Sequence, residues 1–263
     1  PPNACPDCAS LALQPQGAGT ERIEEALAER FPDALMIRVD RETTRRRDAI
    51  EKHLAEFGER SGILVGTQML AKGHDLPRLT LVAVVGVDEG LFSADFRAGE
   101  KLAQLLIQVA GRAGRAALPG EVLLQTHHPD HPLLGTLLNG GYPAVAALQL
   151  AEREAAGFPP YTHLAMLRAE GKTQEAAQAF LEAAAQAVMA EAQAVGVTLY
   201  PAVPTPVQRV ANVERAQLMI ESAQRMPLQR FLSAAQTPWF MLAQQHRRSG
   251  LIRWAVDVDP LSI

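Results

Sequence analysis

Two arginines with phosphate-binding chemistry, Arg112 and Arg115, follow an apolar helical pattern in the sequence. They are three residues apart, so in a continuing helix both guanidinium groups share one face. Glycines at 111 and 114 let a ligand approach the backbone closely. Guanidinium groups are always charged and match phosphate oxygens with forked donors, which is typical of nucleotide or nucleic-acid sites. A solvated helix end explains an isolated Arg-x-x-Arg, but the full spacing Gln-x-x-Gly-Arg-x-x-Arg, which includes Gln108, favours binding.

A second polar segment, residues 66–77, directly follows a predicted strand. In open α/β sheets, loops at this end of the strands contact ligands. Thr67 and Gln68 carry hydrogen-bonding side chains, Gly73 permits a tight turn, and Asp75 can accept a hydrogen bond from a ribose hydroxyl. On spacing alone, a polar loop whose aspartate caps a turn explains the segment equally well.

An arginine-rich run at residues 38–47 enters a predicted helix and includes Arg45 and Arg46. Arginines in this arrangement can lie against a phosphate backbone, with a threonine capping the helix towards the same anion. The alternative is a solvated helix face, because acidic residues at 40, 42 and 48 partly neutralise the run.

Cys5 and Cys8 are the two cysteines of the chain, and their Cys-x-x-Cys spacing is that of one zinc knuckle. Two thiolates at this spacing can both reach one tetrahedral metal, but a structural zinc needs four ligands. We interpret residues 1–10 as the last part of a larger zinc-binding module, which supplies the other two ligands from preceding sequence.

Two other clusters have structural interpretations. His127, His128 and His131 follow a predicted strand, where histidines that cap a strand and the next helix are commoner than an incomplete metal site. Asp95 and Arg97 flank Phe96, a pattern that indicates an aromatic plug beside an ion pair.

The elements before residue 141 alternate between helix and strand. Helices are predicted at 20–30, 43–57 and 99–111, and strands at 34–39, 62–66, 79–85 and 121–125. The strands are continuous apolar runs, which suits a parallel sheet covered on both faces. Residues 11–140 therefore predict a doubly wound α/β domain.

A glycine pair at 140–141 and a proline pair at 159–160 bound a predicted joint over residues 141–160. Beyond it, strands are predicted at 162–169, 197–203, 217–222 and 251–257, and helices at 174–194 and 226–235. The order βαβ–βαβ predicts a smaller α+β domain of the split βαβ, ferredoxin-like type over residues 161–263.

Composition limits the functional classes. The 263 residues are 48% hydrophobic without a long apolar run or an apolar leader, so no membrane association and a cytoplasmic location are expected. The formal net charge of −4 means that contacts to nucleic acid must come from local clusters. The sequence also lacks a Gly-x-x-x-x-Gly-Lys-Ser/Thr loop and an acidic magnesium-binding box, so this chain alone is expected not to hydrolyse ATP.

Residues 66–74 and 108–115 resemble motifs V and VI of superfamily 2 helicases. Together with Cys-Pro-Asp-Cys at 5–8, residues 91–97 and Val-Asp-Val-Asp-Pro at 256–260, they resemble the PriA family of replication-restart helicases, or primosomal protein N-prime. The resemblance implies the second RecA-like helicase lobe followed by the C-terminal domain of the family.

This resemblance also implies a function. Members recognise stalled replication forks, unwind DNA with 3′-to-5′ polarity using ATP and magnesium, and assemble the primosome with single-strand binding protein and primosome proteins. Arg112, Arg115 and Gln108 would face the ATP triphosphate, Gly73 and Asp75 would couple nucleotide to DNA, and Thr67 would contact a DNA phosphate.

Two rival hypotheses remain open. The chain could be a non-enzymatic module that binds fork DNA and scaffolds the primosome. The C-terminal domain of the family usually carries a markedly basic stretch before its fourth strand. In this sequence the corresponding residues, 207–215, have only Arg209 and Arg215 as basic residues. A sugar- or nucleotide-binding α/β protein is the third possibility.

Overall fold

The computed structural model describes residues 19–40, 60–67, 79–113 and 119–263. The chain forms two compact units. The first comprises Pro1–Ser93 and Ala98–Val145, and the second comprises Ala94–Arg97 and Ala146–Ile263. The division after Val145 falls inside the joint predicted at 141–160, but Ala94–Arg97 groups with the second unit although the sequence places it within the first domain. The helix predicted at 43–57 lies outside the described residues.

The elements of the first unit follow the predicted order. They are α1 (Thr20–Arg30), β1 (Leu35–Val39), β2 (Gly62–Gly66), β3 (Leu81–Val84), α2 (Asp88–Leu91), α3 (Ala98–Ala110) and β4 (Glu121–Leu124), and α4 (Pro132–Ala156) continues into the second unit. The strands agree with the sequence because each is a short apolar run between turn-forming residues.

Parallel pairing joins the strands of the first unit in two pairs. Within the described residues, β1 pairs with β2 and β3 pairs with β4, each as a two-stranded parallel sheet. In the second pair, Leu81 is 49% and Leu123 is 55% exposed. Residues of β3 and β4 alternate between exposed and half-buried positions, so an apolar run does not by itself show that both faces are covered.

An ion-pair network fastens α1 to β1. Arg38 lies 3.0 Å from Glu21, 3.4 Å from Glu24 and 3.2 Å from Asp40. Thr20 is the first helical residue, and its hydroxyl donates to Asp40 at 3.2 Å. Its side chain therefore bonds to the end of β1 rather than to the start of its own helix.

The core of the first unit is built around α3. Its fully buried members are Val87, Leu102, Ala103, Leu106, Leu133, Leu134 and Val145. The apolar stripe of α3 buries Leu102 and Leu106, while Leu105 and Val109 are half-buried. Because the buried stripe faces the start of α4, α3 has a fixed orientation within the unit.

Gly141 interrupts α4 at the predicted joint. Its φ of 65° and ψ of −166° are non-helical, a conformation that glycine adopts without the steric cost of a Cβ. Pro143 follows two residues later, where a missing N–H is harmless at the start of a new helical segment. The first unit ends four residues after this break.

The second unit contains β5 (His163–Gly171), α5 (Gln174–Ala194), β6 (Val197–Leu199), β7 (Val203–Val210), β8 (Val213–Ser222), α6 (Arg225–His246) and β9 (Leu251–Val258). Its sheet has the order β6-β8-β5-β9, and β7 also pairs with β8. All these pairings are antiparallel. The central strands β5 and β8 pair over nine residues, from His163 opposite Ser222 to Gly171 opposite Glu214.

The two long helices cover one face of this sheet. Alternate residues of the strands bury against them, including Ala165, Leu167 and Ala169 of β5 and Ala216, Leu218 and Ile220 of β8. The indole of Trp239 on α6 is 0% exposed and donates to the Ala184 carbonyl of α5 at 3.0 Å. Trp239 also packs edge-to-face with Phe231 and Trp254, so one residue joins both helices to the sheet.

Two elements of the second unit differ from the sequence prediction. The helix predicted at 226–235 continues to His246 through Pro238, because the next turns bury Trp239 and Ala243. The single strand predicted at 197–203 is instead the short strand β6, which ends at Leu199, followed by a separate strand, β7, which begins at Val203. β7 pairs only with β8 among the described strands, and an edge strand tolerates proline because one side needs no ladder donor.

Ala94–Arg97 contributes an aromatic plug to the second unit. The ring of Phe96 stacks on Phe158 with centroids 5.1 Å apart. The guanidinium groups of Arg97 and Arg153 lie 5.1 and 5.0 Å from the Phe96 centroid. The sequence analysis predicted an ion pair beside Phe96 but did not predict these cation–π contacts.

The turn between β7 and β8 has two non-glycine residues with left-handed backbone, Ala211 at φ 50° and Asn212 at φ 64°. Two positive φ values in a two-residue hairpin define a type I′ turn, for which asparagine suits the first position better than alanine. We expect Ala211→Asn to stabilise the second unit by about 0.5–1 kcal/mol in urea unfolding. Ala211→Val is the control, and it should destabilise the unit because a β-branched side chain resists this backbone. Equal stability of the two variants would contradict the assignment.

Candidate functional site

Helix α3 positions the predicted phosphate-binding residues of the first unit. Gln108 is exposed on its last turn, and the helix ends at Ala110. Arg112 lies two residues further on, in a turn closed by its own N–H donating to the Val109 carbonyl at 3.0 Å. The sequence-based expectation of two arginines on one continuing helical face is therefore wrong for Arg112, because Gly111, a weak helix former, follows the end of the helix.

The exposed Gln108 lies on the last turn of α3, and the half-buried Arg112 lies in the turn that follows. The opposite face of α3 packs into the core through Leu102 and Leu106, which anchors the helix within the first unit. An anchored helix next to an arginine helps to hold that arginine in the defined orientation that phosphate binding requires. Arg115 lies outside the described residues.

Thr67 lies at the carboxyl end of the first parallel pair. Val39 of β1 is opposite Gly66 of β2, so Asp40 and Thr67 leave the pair side by side. Thr67 is exposed, whereas Asp40 is nearly buried and is engaged by Arg38 and Thr20. This places Thr67 at the strand end where open α/β sheets bind ligands.

Several sequence-predicted site residues lie outside the described residues. They are Gln68, Gly73, Asp75, Arg45, Arg46, Cys5 and Cys8, in addition to Arg115. Their roles remain predictions from sequence and resemblance.

A polar cluster at the carboxyl end of the β3–β4 pair was not predicted. Asp88, the first residue of α2, accepts hydrogen bonds from the Thr126 hydroxyl, the His127 N–H at 3.1 Å and the His127 ring Nδ1 at 2.7 Å. These bonds, that of Thr126 foremost, lower the pKa of Asp88 to about 2. The ring of His127 is held through Nδ1 while its side chain stays 90% exposed, so Nε2 faces solvent in a fixed orientation.

The Asp88 cluster predicts a dependence of stability on acid pH. The folded-state pKa of about 2 lies below the ordinary value of 3.8. The stabilisation is therefore fully present above about pH 4 and is lost as pH falls through 2. In urea unfolding of the first unit between pH 5 and 2, Thr126→Val should shift this loss to higher pH, and Asp88→Asn should remove it. An identical pH profile for wild type and both variants would contradict the role of the cluster.

The three histidines behave as capping and packing groups, as the sequence favoured. His131 Nδ1 accepts from the Leu133 N–H at 3.2 Å at the start of α4. Phe92 packs edge-to-face against His128 and His131, with centroids 4.6 and 5.6 Å apart. Within the described part of the chain, no group of three or more histidine, cysteine or acidic side chains is arranged to hold a metal ion.

In the second unit, large aromatic side chains occur both in the core and on the surface. Trp239 and Trp254 belong to the core, and Tyr161 is exposed. Asp257 forms an ion pair with Arg168 at 3.2 Å. Asp259 lies beyond β9 with a left-handed φ of 55°. Among the described residues, every helix is too short or too polar to cross a membrane.

Two protein-family models match the chain, one on each unit. Residues 18–117 match the helicase conserved C-terminal domain, and residues 154–261 match the Primosomal protein N C-terminal domain. The match over the first unit implies a RecA-like lobe, and the match over the second unit is to a domain of primosomal proteins.

Curated relatives cover nearly the whole chain. A replication restart protein PriA from Haemophilus influenzae is 44% identical over 260 residues, 98% of this chain and 35% of the relative. The proteins of the same name from Synechocystis and Bacillus subtilis are 37% and 39% identical over 100% and 88% of this chain, which are 30% and 29% of those relatives. The chain belongs to the replication restart protein PriA family, and it spans about a third of the length of these relatives, at their C-terminal part.

Proposed function

We propose that this chain is the C-terminal part of an ATP-dependent 3′-to-5′ DNA helicase that recognises stalled replication forks and promotes primosome assembly. The observation that carries the proposal is the succession of a helicase C-terminal domain and a primosomal C-terminal domain in one chain. The position of Arg112 immediately after the anchored helix α3 supports it, because a fixed arginine suits charge stabilisation in phosphoryl transfer.

In this proposal, Arg112, Arg115 and Gln108 face the triphosphate of ATP with its magnesium, which a first helicase lobe outside this sequence binds. Gly73 and Asp75 couple the nucleotide to DNA. Thr67, Gln68, Arg45 and Arg46 contact forked or single-stranded DNA, a role that the exposed strand-end position of Thr67 supports. Cys5 and Cys8 provide two thiolates, half of the four ligands that a structural zinc requires. Single-strand binding protein and primosome proteins are the proposed partners, in the cytoplasm.

The proposal extends to the fold. The first unit is a doubly wound RecA-like lobe whose two parallel pairs belong to one sheet. The second is a split βαβ, ferredoxin-like domain, which its antiparallel order β6-β8-β5-β9 and the helices after β5 and β8 support. In that fold β6 is the second strand, and β7 is an additional strand beside it.

The test joins this chain to a matching first helicase lobe. The joined protein should hydrolyse ATP in response to single-stranded DNA and unwind a forked substrate, whereas the chain alone should not hydrolyse ATP. The alternative, a non-enzymatic fork-binding and primosome-scaffolding module, predicts fork binding without turnover in both proteins. Absence of DNA-stimulated turnover in the correctly folded joined protein would reject the helicase proposal in favour of this alternative.

A further inference from the structure

A cluster of two aromatic rings and two arginines forms around Phe96, two residues before the start of α3. The ring of Phe96 lies parallel to that of Phe158, with an interplanar angle of 6° and centroids 5.1 Å apart. The guanidinium groups of Arg97 and Arg153 lie 5.1 and 5.0 Å from the Phe96 centroid. We call these four residues the Phe96 cluster. All four belong to the second unit, whereas α3, which begins at Ala98, belongs to the first.

The C-terminal cap of α4 holds the partners of Phe96. Just after this helix, Gly157 adopts a left-handed φ of 67°. The N–H of Phe158 donates to the Arg153 carbonyl at 2.8 Å. The N–H of Gly157 donates to the Glu154 carbonyl at 3.3 Å. These two bonds form a Schellman cap, which fixes the backbone of both Arg153 and Phe158. The ring of Phe96 therefore packs against side chains whose backbone is already held.

The backbone around Phe96 is held as well. The N–H of Arg97 donates to the Asp95 carboxylate at 2.9 Å, and a terminal nitrogen of Arg153 donates to the Phe96 carbonyl at 3.5 Å. The side chains of the Phe96 cluster are half-buried, and cation–π contacts are stronger where water is partly excluded. Because Ala98 follows Arg97 directly in the chain, the cluster gives α3 a fixed starting point.

The opposite end of α3 carries the residues that we assign to ATP. Gln108 lies on its last turn and Arg112 in the turn that follows. The helix has 13 residues, so at about 1.5 Å per residue it is a rod of roughly 20 Å. A rigid helix carries a displacement of its first turn to its last turn. The position of Arg112 therefore depends on where the start of α3 is held.

Packing in the core resists the sliding of α3 less well than it resists separation. Leu102 and Leu106 bury one stripe of the helix, and apolar packing is not directional. Packed helices shift past one another by about 1–2 Å in known conformational changes. Gln104 donates to the Tyr142 hydroxyl at 2.9 Å, but this bond is exposed to solvent and so is weaker than a buried one. The stacked ring of Phe96 is directional and opposes such a shift.

We propose that Phe96 is a positioning residue for ATP hydrolysis: the Phe96 cluster fixes α3 along its axis, and α3 places Arg112. The inference rests on the proposed function, which assigns Arg112 to the triphosphate. A group that stabilises a transition state must be held within about 0.5 Å of its productive position. A misplacement of about 1 Å costs roughly 100-fold in rate, even when its cause lies far from the reacting atoms.

Steady-state ATP hydrolysis by the joined two-lobe protein with single-stranded DNA tests the proposal. Phe96→Ala should lower kcat roughly 10- to 100-fold and leave KM for ATP within about twofold, because Arg112 acts on the transition state. Phe96→Tyr keeps the ring and should stay within about threefold of wild type. Phe92→Ala is the matched control, since it removes the same side chain four residues earlier, where the ring is 59% exposed. It should leave both constants unchanged.

A double-mutant cycle separates positioning from general structural damage. If Phe96 acts through Arg112, Phe96→Ala should lower kcat by less than about twofold in a protein that already carries Arg112→Ala. Damage unrelated to Arg112 would instead lower kcat by the same factor in both backgrounds. That additive result would overturn the inference, and so would an unchanged kcat for Phe96→Ala, a raised KM with unchanged kcat, or an equal loss in Phe92→Ala.

Circular dichroism and urea unfolding check that each variant is folded. If Phe96→Ala does not fold, Phe96→Leu replaces it, because leucine keeps most of the apolar volume but cannot stack or accept a cation–π contact. A wild-type kcat for Phe96→Leu would then overturn the inference. Absence of turnover in the wild-type joined protein would reject the proposed function and this inference with it. Additive losses in a protein that hydrolyses ATP would reject the inference alone.

Discussion

Replacing Trp239 with alanine should lower the unfolding free energy of the second unit by about 3–5 kcal/mol. The indole is fully buried between α5, α6 and the sheet, where it packs against Phe231 and Trp254. Its removal leaves a cavity among helices that are held by many other contacts and collapse only in part. It also deprives the Ala184 carbonyl of the indole N–H.

Urea unfolding followed by tryptophan fluorescence measures this effect, because both tryptophans of the chain lie in the second unit. Trp254 remains as the reporter in the alanine variant. The control is Trp239→Phe, which keeps a ring but loses the hydrogen bond, and it should cost about 1–2 kcal/mol less than alanine does. If the alanine variant unfolds at the same urea concentration as wild type, Trp239 does not join the helices to the sheet.

Arg112→Ala should lower the ATP turnover of the joined two-lobe helicase by at least about 100-fold, since arginines that stabilise the transferring phosphoryl group contribute 10³–10⁵ in other phosphoryl-transfer enzymes. Arg112 lies in the turn after α3 rather than in the core, so the substitution should remove charge stabilisation without unfolding the unit. DNA-stimulated phosphate release at saturating ATP measures the loss of kcat.

Two further variants separate a specific role from a general loss of charge. Arg112→Lys keeps the charge but not the forked donors, so it should restore only a small part of the activity. Arg30→Ala removes an arginine from the exposed end of α1 and should leave turnover unchanged. A kcat for Arg112→Ala close to that of wild type would exclude the proposed role.

Elements with strong local signals were predicted most accurately. Helix α5 is predicted at 174–194 from a long run of alanine, glutamine and glutamate, which are good helix formers, and it spans Gln174–Ala194. The structure adds the physical reason, since the Thr173 hydroxyl accepts from the Ala176 N–H at 3.2 Å. Strand β2 was likewise predicted to the residue, between a turn and a polar loop.

The failures occurred where tertiary contacts override local sequence. Pro238 is a local stop signal, but α6 continues because burial of Trp239 and Ala243 outweighs the cost of an interior proline. The prolines at 204 and 206 indicate a loop, yet pairing with β8 makes a strand of them. Trp239 is held by Ala184 of another helix, and β7 is a strand because of its hairpin partner β8, so neither outcome follows from the local sequence of the segment alone.

The contrast between local sequence signals and tertiary contacts also applies to the candidate site. Gln108 and Arg112 could be predicted as site residues because they are close in sequence and carry a recognisable spacing, and their role stays a prediction. Asp88 was missed because its partners, Thr126 and His127, are 38 and 39 residues away and meet it only when β3 pairs with β4. By itself, an aspartate at position 88 in the sequence does not indicate a hydrogen-bonded cluster.

The prolines of β7 have a consequence for self-association. A sheet edge with unpaired N–H and C=O groups is a template on which a strand from another molecule can add. Pro204 and Pro206 offer no N–H on this edge, and the register shift between Pro204 and Arg209 breaks its regular spacing. A second copy of the chain therefore meets an edge that cannot template continuous strand addition, which protects the second unit from aggregation on that side.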